Sequence, residues 1–432
     1  MISLVPPKGM RDFIPCEFRK REHLLQLISS TLKEHGFHQI ETPALEDIAK
    51  LKAKEGGDNE SMLFEVMRRG LDPESSYRPS EACDLALRYD LTLPLSRFYA
   101  HNQAKLPTVF RAFQTGWVWR AERPQKGRFR QFRQCDIDII GPSDWTAELE
   151  LLSLGWTVLE KLGLSKNACI LINDRRLLDY LANSYEIAGD KRGQFFIILD
   201  KLEKIGLDAV VDELVSKEIM ARQAAQELMN LLLELKEESS QAGTSGASLQ
   251  LTELLEKAQI PELSLLISAL KELKPEIELR FDPSLVRGMG YYTGIVYEVV
   301  HTSSSSSICG GGRYDKIIGK WLGKEVCAVG FSFGFERILE LLDEAAQEDE
   351  RLDLALCYSS AEDHLKALHL REAIKSGELT GFENFKEIGL VKAPSKIKNS
   401  FFEQVAQDYK SALLPSALDL DSKEALEKLK HF

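Results

Sequence analysis

Residues 115–141, TGWVWRAERPQKGRFRQFRQCDIDIIG, read as two alternating strands joined by a basic loop. In the second strand Phe132, Gln134, Asp136 and Asp138 fall on one face, and Arg133, Cys135, Ile137 and Ile139 on the other. An ordinary hairpin keeps one face apolar and solvates the other. Here an aromatic ring, an amide and two carboxylates share a face opposite a mostly aliphatic one. Arg120, Arg123, Lys126, Arg128 and Arg130 crowd the loop around Pro124 and Gly127. Between residues 109 and 134 seven Lys/Arg stand against one acid, Glu122, so the segment is locally +6 in a chain of formal charge −12. That contrast points to an anion site. Taken alone, it also fits a solvated basic hairpin.

Arg120-x-Glu122, a loop, then Arg130-x-Phe132 resembles motif 2 of class II aminoacyl-tRNA synthetases, and RAERPQKGRFRQFRQCDIDIIG is similar to its histidyl-tRNA synthetase version. RYDLT (88–92), RGMGYYTG (287–294), GGGRYD (310–315) and GFSFGFER (330–337) follow in that family's order. The last resembles motif 3. The resemblance is strong over residues 5–345 and weak beyond.

At 432 residues the chain has room for two or three domains and a large core. Its 44% apolar and 28% charged content is that of a soluble globular protein. MISLVPPKGMRDF holds no apolar run of signal-peptide length, and no stretch approaches the roughly 20 apolar residues of a membrane helix. Seven cysteines are scattered and never spaced as CxxC. That predicts reduced thiols in the cytoplasm and no structural zinc. A net charge of −12 disfavours nonspecific nucleic-acid binding but leaves room for a partner held by local basic patches.

Leu24, Leu25, Ile28 and Leu32 predict a helix that Gly36 caps, followed by a strand over residues 37–43. The unit resembles motif 1, which in the family forms the dimer interface; the pattern is also that of any helix–strand pair. Residues 85–100 read as strand, turn and a helix carrying Pro94 early. An Asp at position 90 is by itself a turn or capping group. Residues 143–162 predict a helix and 168–174 a buried strand. Residues 175–275 are largely helical, with a flexible linker by composition at 238–250. Strands return at 277–297, and the serines at 303–307 mark the turn of a hairpin. From residue 352 a strand and a helix (361–376) open a separate domain, with room for one more strand and helix. After those no convincing apolar strand follows, only LLPSALDL and a short helix to Phe432.

The resemblance implies an α+β chain: an antiparallel class II sheet of six or seven strands flanked by helices. Its catalytic core takes residues 1–170 and 276–345, a helical insertion 171–275, and a divergent α/β anticodon-binding domain 346–432. It implies histidine activation by ATP and transfer to the 3′ end of tRNA(His) by a cytoplasmic homodimer, with Mg2+ accompanying ATP, no organic cofactor and no membrane. The first step, an in-line displacement, accumulates charge on phosphate oxygens, which suits fixed arginines better than a covalent nucleophile. Histidine then contacts Asp90, Thr92, Arg120, Gln134, Asp138, Arg287, Tyr291 and Tyr292. ATP contacts Arg120, Glu122, Arg128, Arg130 and Arg337, with Phe132 stacked on adenine. Arg120, Arg287 and Arg337 are the implied catalytic cations, and Gln125 sits near the tRNA end. The family usually has an acid where this chain has Gly290. The rival reading is the synthetase-like, non-catalytic regulatory subunit of ATP phosphoribosyltransferase, which typically lacks the arginine matching Arg287 and parts of motif 2. Smaller rivals are a non-catalytic synthetase-derived regulator and a ligase for another amino donor.

Overall fold

The alternation on residues 131–140 makes one strand of a large sheet. The computed structural model describes residues 4–52, 62–72, 76–125, 127–241, 249–286, 292–345, 351–419 and 422–432. Arg287, Gly288, Gly290, Tyr291, Lys126 and residues 242–248 of the expected linker lie outside them. Two units divide the chain: Met1–Arg11 with Leu25–Glu344, and Asp12–Leu24 with Ala345–Phe432.

The chain opens with α1 (Pro15–Glu34), β1 (His38–Gln39), β2 (Leu45–Asp47), α2 (Ile48–Lys52), β3 (Phe64–Met67), α3 (Pro79–Ala82), β4 (Cys83–Leu87) and α4 (Thr92–Asn102). The hairpin β5 (Phe110–Trp119) and β6 (Gln131–Ile140) leads to α5 (Thr146–Lys161) and β7 (Ala168–Asp174). The helical stretch holds α6 (Arg175–Ser184), α7 (Arg192–Leu199), α8 (Leu202–Ile205), α9 (Leu207–Ser216), α10 (Arg222–Gln241), α11 (Leu249–Lys257) and α12 (Glu262–Leu273). The ends of α10 and α11 thus take up part of the expected linker. Then come β8 (Leu279–Phe281), β9 (Ile295–His301), β10 (Cys309–Arg313), α13 (Asp315–Leu322), β11 (Ala328–Phe333) and α14 (Phe335–Ala345).

The main sheet runs β1-β5-β6-β11-β10-β9-β7-β8. Its middle six strands pair antiparallel, and a short parallel strand closes each edge, β1 on β5 and β8 on β7. The expected six or seven antiparallel strands are therefore eight in a mixed sheet. The strand expected over 37–43 shrinks to two residues. Beyond it, the carbonyls of Thr42 and Pro43 accept from the buried Arg88 guanidinium instead of joining the ladder. Opposite Ile137 on β11, the Phe331 ring lies against Gly155 of α5, so the aliphatic side of the hairpin is the side the helix covers.

The second unit places β12 (Leu352–Tyr358), α15 (Ala361–Lys375), β13 (Ile388–Lys392), α16 (Asn399–Asp408), β14 (Tyr409–Leu413), α17 (Ser422–Glu427) and β15 (Lys430–His431) in an α/β layer with sheet order β13-β12-β14-β15. The absence of a later strand is corrected here: β14 pairs parallel with β12 at the sheet centre, burying Ser411, Ala412 and Leu413. It begins on the residue after α16 ends, with no Gly or Pro to announce the change from helix to strand.

Candidate active site

The polar side of β6 opens into a cavity of about 200 Å3 within the first unit. That is smaller than the roughly 300–1,000 Å3 of pockets that bury drug-sized ligands. Gln134, Asp136 and Asp138 line it from β6, Asp90 from the β4–α4 turn, Thr92 from the start of α4, and Arg120 from the residue after β5. Ser332 of the neighbouring strand β11 lines it too, with Tyr292 and Tyr314 from the segments flanking β9 and β10.

Asp90 does two things. Its Oδ1 accepts from the Leu93 amide in the first turn of α4, at 3.2 Å, and the same side chain lines the cavity. Asp138 is buried, and Tyr314 donates its hydroxyl to Oδ1 at 2.6 Å. Burial pushes the Asp138 carboxyl well above the usual range, and the neighbouring Asp136 adds to this while the Tyr314 hydrogen bond opposes it. Asp136 accepts from Ser332 Oγ at 2.5 Å and from Gln134 Nε2 at 3.4 Å. The Gln134 Oε1 is buried with no hydrogen-bond partner. A buried acceptor without a donor is costly in a resting protein and is what a site for an N–H ligand contains.

Arg120 donates through Nε to the Tyr89 carbonyl at 3.0 Å, and its guanidinium carbon lies 5.0 Å from the Phe132 ring centroid. The hairpin loop is closed by reciprocal backbone bonds between Gln125 and Arg128, and Gly127 takes the left-handed conformation at φ +72° that this tight turn requires. Arg128 grips Glu122 through two hydrogen bonds of 2.5 Å, and Arg130 Nε donates to the Glu122 carbonyl at 2.9 Å. Gln125 is exposed at the tip. Arg337, in the first turn of α14, donates to the Ser307 carbonyl at 2.6 Å. Six of the expected histidine contacts (Asp90, Thr92, Arg120, Gln134, Asp138 and Tyr292) thus share one cavity. The expected ATP residues other than Arg120 do not line it. Arg287, Gly290 and Tyr291 are outside the described residues.

Sequence reasoning gave no role to Asp136, Tyr314, Ser332 or Glu336. Asp136 carried the plainest signal, since it shares the Gln134 and Asp138 face. Glu336 is buried; it accepts from Arg11 at 2.7 Å and from the Arg133 amide at 3.2 Å, so α14 pins both the N-terminal segment and β6. The arginines of RYDLT and GGGRYD are structural. Arg88 spreads over the Thr42, Pro43 and Trp117 carbonyls, and Arg313 forms a buried two-pronged pair with Glu148 of α5.

A family model, Histidyl-tRNA synthetase, matches residues 9–338. The chain belongs to the histidyl-tRNA synthetase family. A histidine–tRNA ligase of Leifsonia xyli subsp. xyli is 46% identical over 350 residues, 79% of this chain and 80% of that one. The crystal structure of histidyl-tRNA synthetase from Nostoc sp. PCC 7120 superposes with a TM-score of 0.74 at 24% identity, covering 96% of this chain and 91% of that one. An ATP phosphoribosyltransferase regulatory subunit/histidyl-tRNA synthetase from Bacillus halodurans superposes with a TM-score of 0.69 at 19% identity, covering 96% and 98%. At such identities these two structures speak for the fold: a class II synthetase sheet flanked by helices. No helix among the described residues is long and apolar enough to cross a membrane.

Proposed function

We propose that this chain is a histidine–tRNA ligase, forming histidyl-adenylate and pyrophosphate from L-histidine and ATP and passing the histidyl group to the 3′ end of tRNA(His). The observation that carries the reading is the cavity itself. It holds three carboxylates, a buried amide oxygen without a donor, and one arginine. An α-ammonium suits Asp90 and Asp138, and its arrival would draw Asp138 toward the ionised form. An imidazole has one donor and one acceptor, and a site that satisfies both rejects analogues lacking them by a large factor without editing.

Arg120, held by Nε to the Tyr89 carbonyl and lining the cavity, is read as the partner of the carboxylate that attacks the α-phosphorus, where its fork would stabilise charge on both partners. Phe132 offers a ring face to adenine, with Glu122 beside it. Arg128 or Arg130 reaches the outer phosphates and Arg337 the γ-phosphate from the far side. The Arg128–Glu122 pair is solvent-accessible, and opening such a pair costs only about 0.2–1 kcal/mol. The family resemblance assigns Arg287 to the α-phosphate and Tyr291, with Tyr292, to the imidazole. Mg2+ enters as part of the ATP substrate, neutralising its outer phosphates. The exposure of Gln125 at the loop tip supports reading it as a contact for the end of tRNA. The helical region 171–275 and the C-terminal domain are read as the tRNA-binding additions to the catalytic core. Homodimerisation follows the family. Seven cysteines, none of them joined in a disulfide, fit a reducing cytoplasm.

Histidine-dependent ATP–pyrophosphate exchange tests the reading. Exchange that needs histidine and falls about 100-fold or more in Arg120→Ala is expected, as for removal of a transition-state cation. Charging of tRNA(His) follows as the second assay. Histidine binding without exchange, under conditions that support a known synthetase, would favour the regulatory-subunit reading instead.

A further inference from the structure

The amide of Gln134 can take two orientations that fill the same space and exchange an acceptor for a donor at the cavity wall. Its neighbour decides between them. On β6 Asp136 lies two residues along the same face, level with Gln114 on one side and Ser332 on the other. Ser332 Oγ donates to Asp136 Oδ1 at 2.5 Å, holding the carboxylate from β11. Gln114 is committed elsewhere: its amide donates to the Leu91 carbonyl at 2.7 Å and its oxygen accepts from Thr42. The other carboxylate oxygen, Oδ2, faces Gln134 Nε2 at 3.4 Å. The reverse amide orientation would set Gln134 Oε1 against a carboxylate oxygen, two acceptors with no proton between them. The orientation seen leaves Oε1 buried and without a partner in a residue that lines the cavity.

We propose that Asp136, locked by Ser332, is a positioning residue that fixes the Gln134 amide so that its carbonyl oxygen is presented to an N–H group of the bound amino acid. The inference rests on the cavity being the amino-acid site. Asp136 acts through Gln134 without serving as the acceptor itself. An uncharged amide in place of this carboxylate could offer either its own oxygen or its own NH2 group, and Gln134 would no longer be held to one orientation.

The test is amino-acid-dependent pyrophosphate exchange by the full-length chain, with KM and kcat read separately. Asp136→Asn is expected to raise KM for histidine about tenfold, the scale of one misplaced hydrogen bond to a charged group, with kcat and the KM for ATP within about twofold. Ser332→Ala shifts KM the same way by less. The deciding variant is the double Asp136→Asn/Gln134→Glu. A carboxylate at position 134 is an acceptor in every orientation, and the amide introduced at position 136 can donate to it. The double variant therefore recovers most of the lost KM, whereas Gln134→Glu alone sets two carboxylates together and weakens binding. An unchanged KM in folded Asp136→Asn overturns the proposal, as does a double variant no better than the single. Should Asp136→Asn fail to fold, as read by circular dichroism, an unchanged KM in Ser332→Ala overturns it and a raised KM supports it. Failure of the wider reading looks different. Wild-type exchange driven by another amino acid removes histidine, and the same variant series then reads the KM for that amino acid.

Discussion

Asp138 is the residue where structure and function pull apart. Burial and the adjacent Asp136 raise its folded pKa above the roughly 3.9 of an unfolded Asp, so between those two values the native state binds more protons than the unfolded one. Its contribution to stability is therefore fully present below the unfolded pKa and is lost as pH rises toward the folded value. Asp138→Asn removes that titration, so its melting temperature is expected to exceed the wild type's by a margin that widens from about pH 5 to about pH 8, while histidine binding weakens. Parallel melting curves at the two pH values would contradict this. Gly330 tests the same carboxylate by contact, because a Cβ there would sit 2.4 Å from Asp138 Oδ1. Gly330→Ala is expected to push the carboxyl off the Tyr314 hydroxyl and raise the histidine KM, with a destabilisation of about 1–3 kcal/mol, the range for overpacking. Calorimetric unfolding beside exchange kinetics separates the two effects. Asp90, Gln134 and Asp138 were legible because alternation and the RYDLT string place them. The role of Asp136 was not, since a sequence gives the face of a strand but not which hydroxyl stands across the sheet from it.

The elements show a similar division. The hairpin, β7, the β9–β10 turn and the β11–α14 junction were readable because each carries its own periodicity and turn residues. The strands expected over 37–43 and 277–297 include β1 and β8, but their parallel pairing at the sheet edges was not legible, and neither was the central strand β14. They are short, and their pairing is decided by distant partners such as Ala112, Ile170 and Leu354. The Arg313–Glu148 pair ties β10 to α5, and Glu148 has no exposed side-chain surface. Arg313→Met should leave that carboxylate buried and uncompensated, destabilising the protein by about 3–5 kcal/mol in urea melts. Adding Glu148→Leu should restore most of the loss, because the pair's mutual attraction mainly offsets its own desolvation. A double variant as unstable as the single would show that the arginine's bonds to the Pro142 and Asp144 carbonyls matter more than the ion pair.

At the scale of the whole molecule the charge distribution sets the two half-reactions apart. A chain of net −12 repels a polyanion overall, while the motif 2 segment, locally +6, attracts one. Binding of tRNA must therefore concentrate on local patches, and each phosphate that a Lys or Arg neutralises releases condensed counterions. Histidine carries no such atmosphere, and the cavity proposed for it is lined by groups that salt screens poorly. Raising KCl from about 50 to about 200 mM is expected to raise the KM for tRNA in charging by about tenfold or more, while the KM for histidine in exchange changes by less than about twofold. Arg123, exposed in the hairpin loop, assigns part of that dependence. If it meets a phosphate, Arg123→Ala lowers the slope of log KM against log salt by about one and leaves exchange untouched. A slope shared equally by both steps would instead place the salt effect on ATP, the one anionic substrate they have in common when charging is assayed from free histidine.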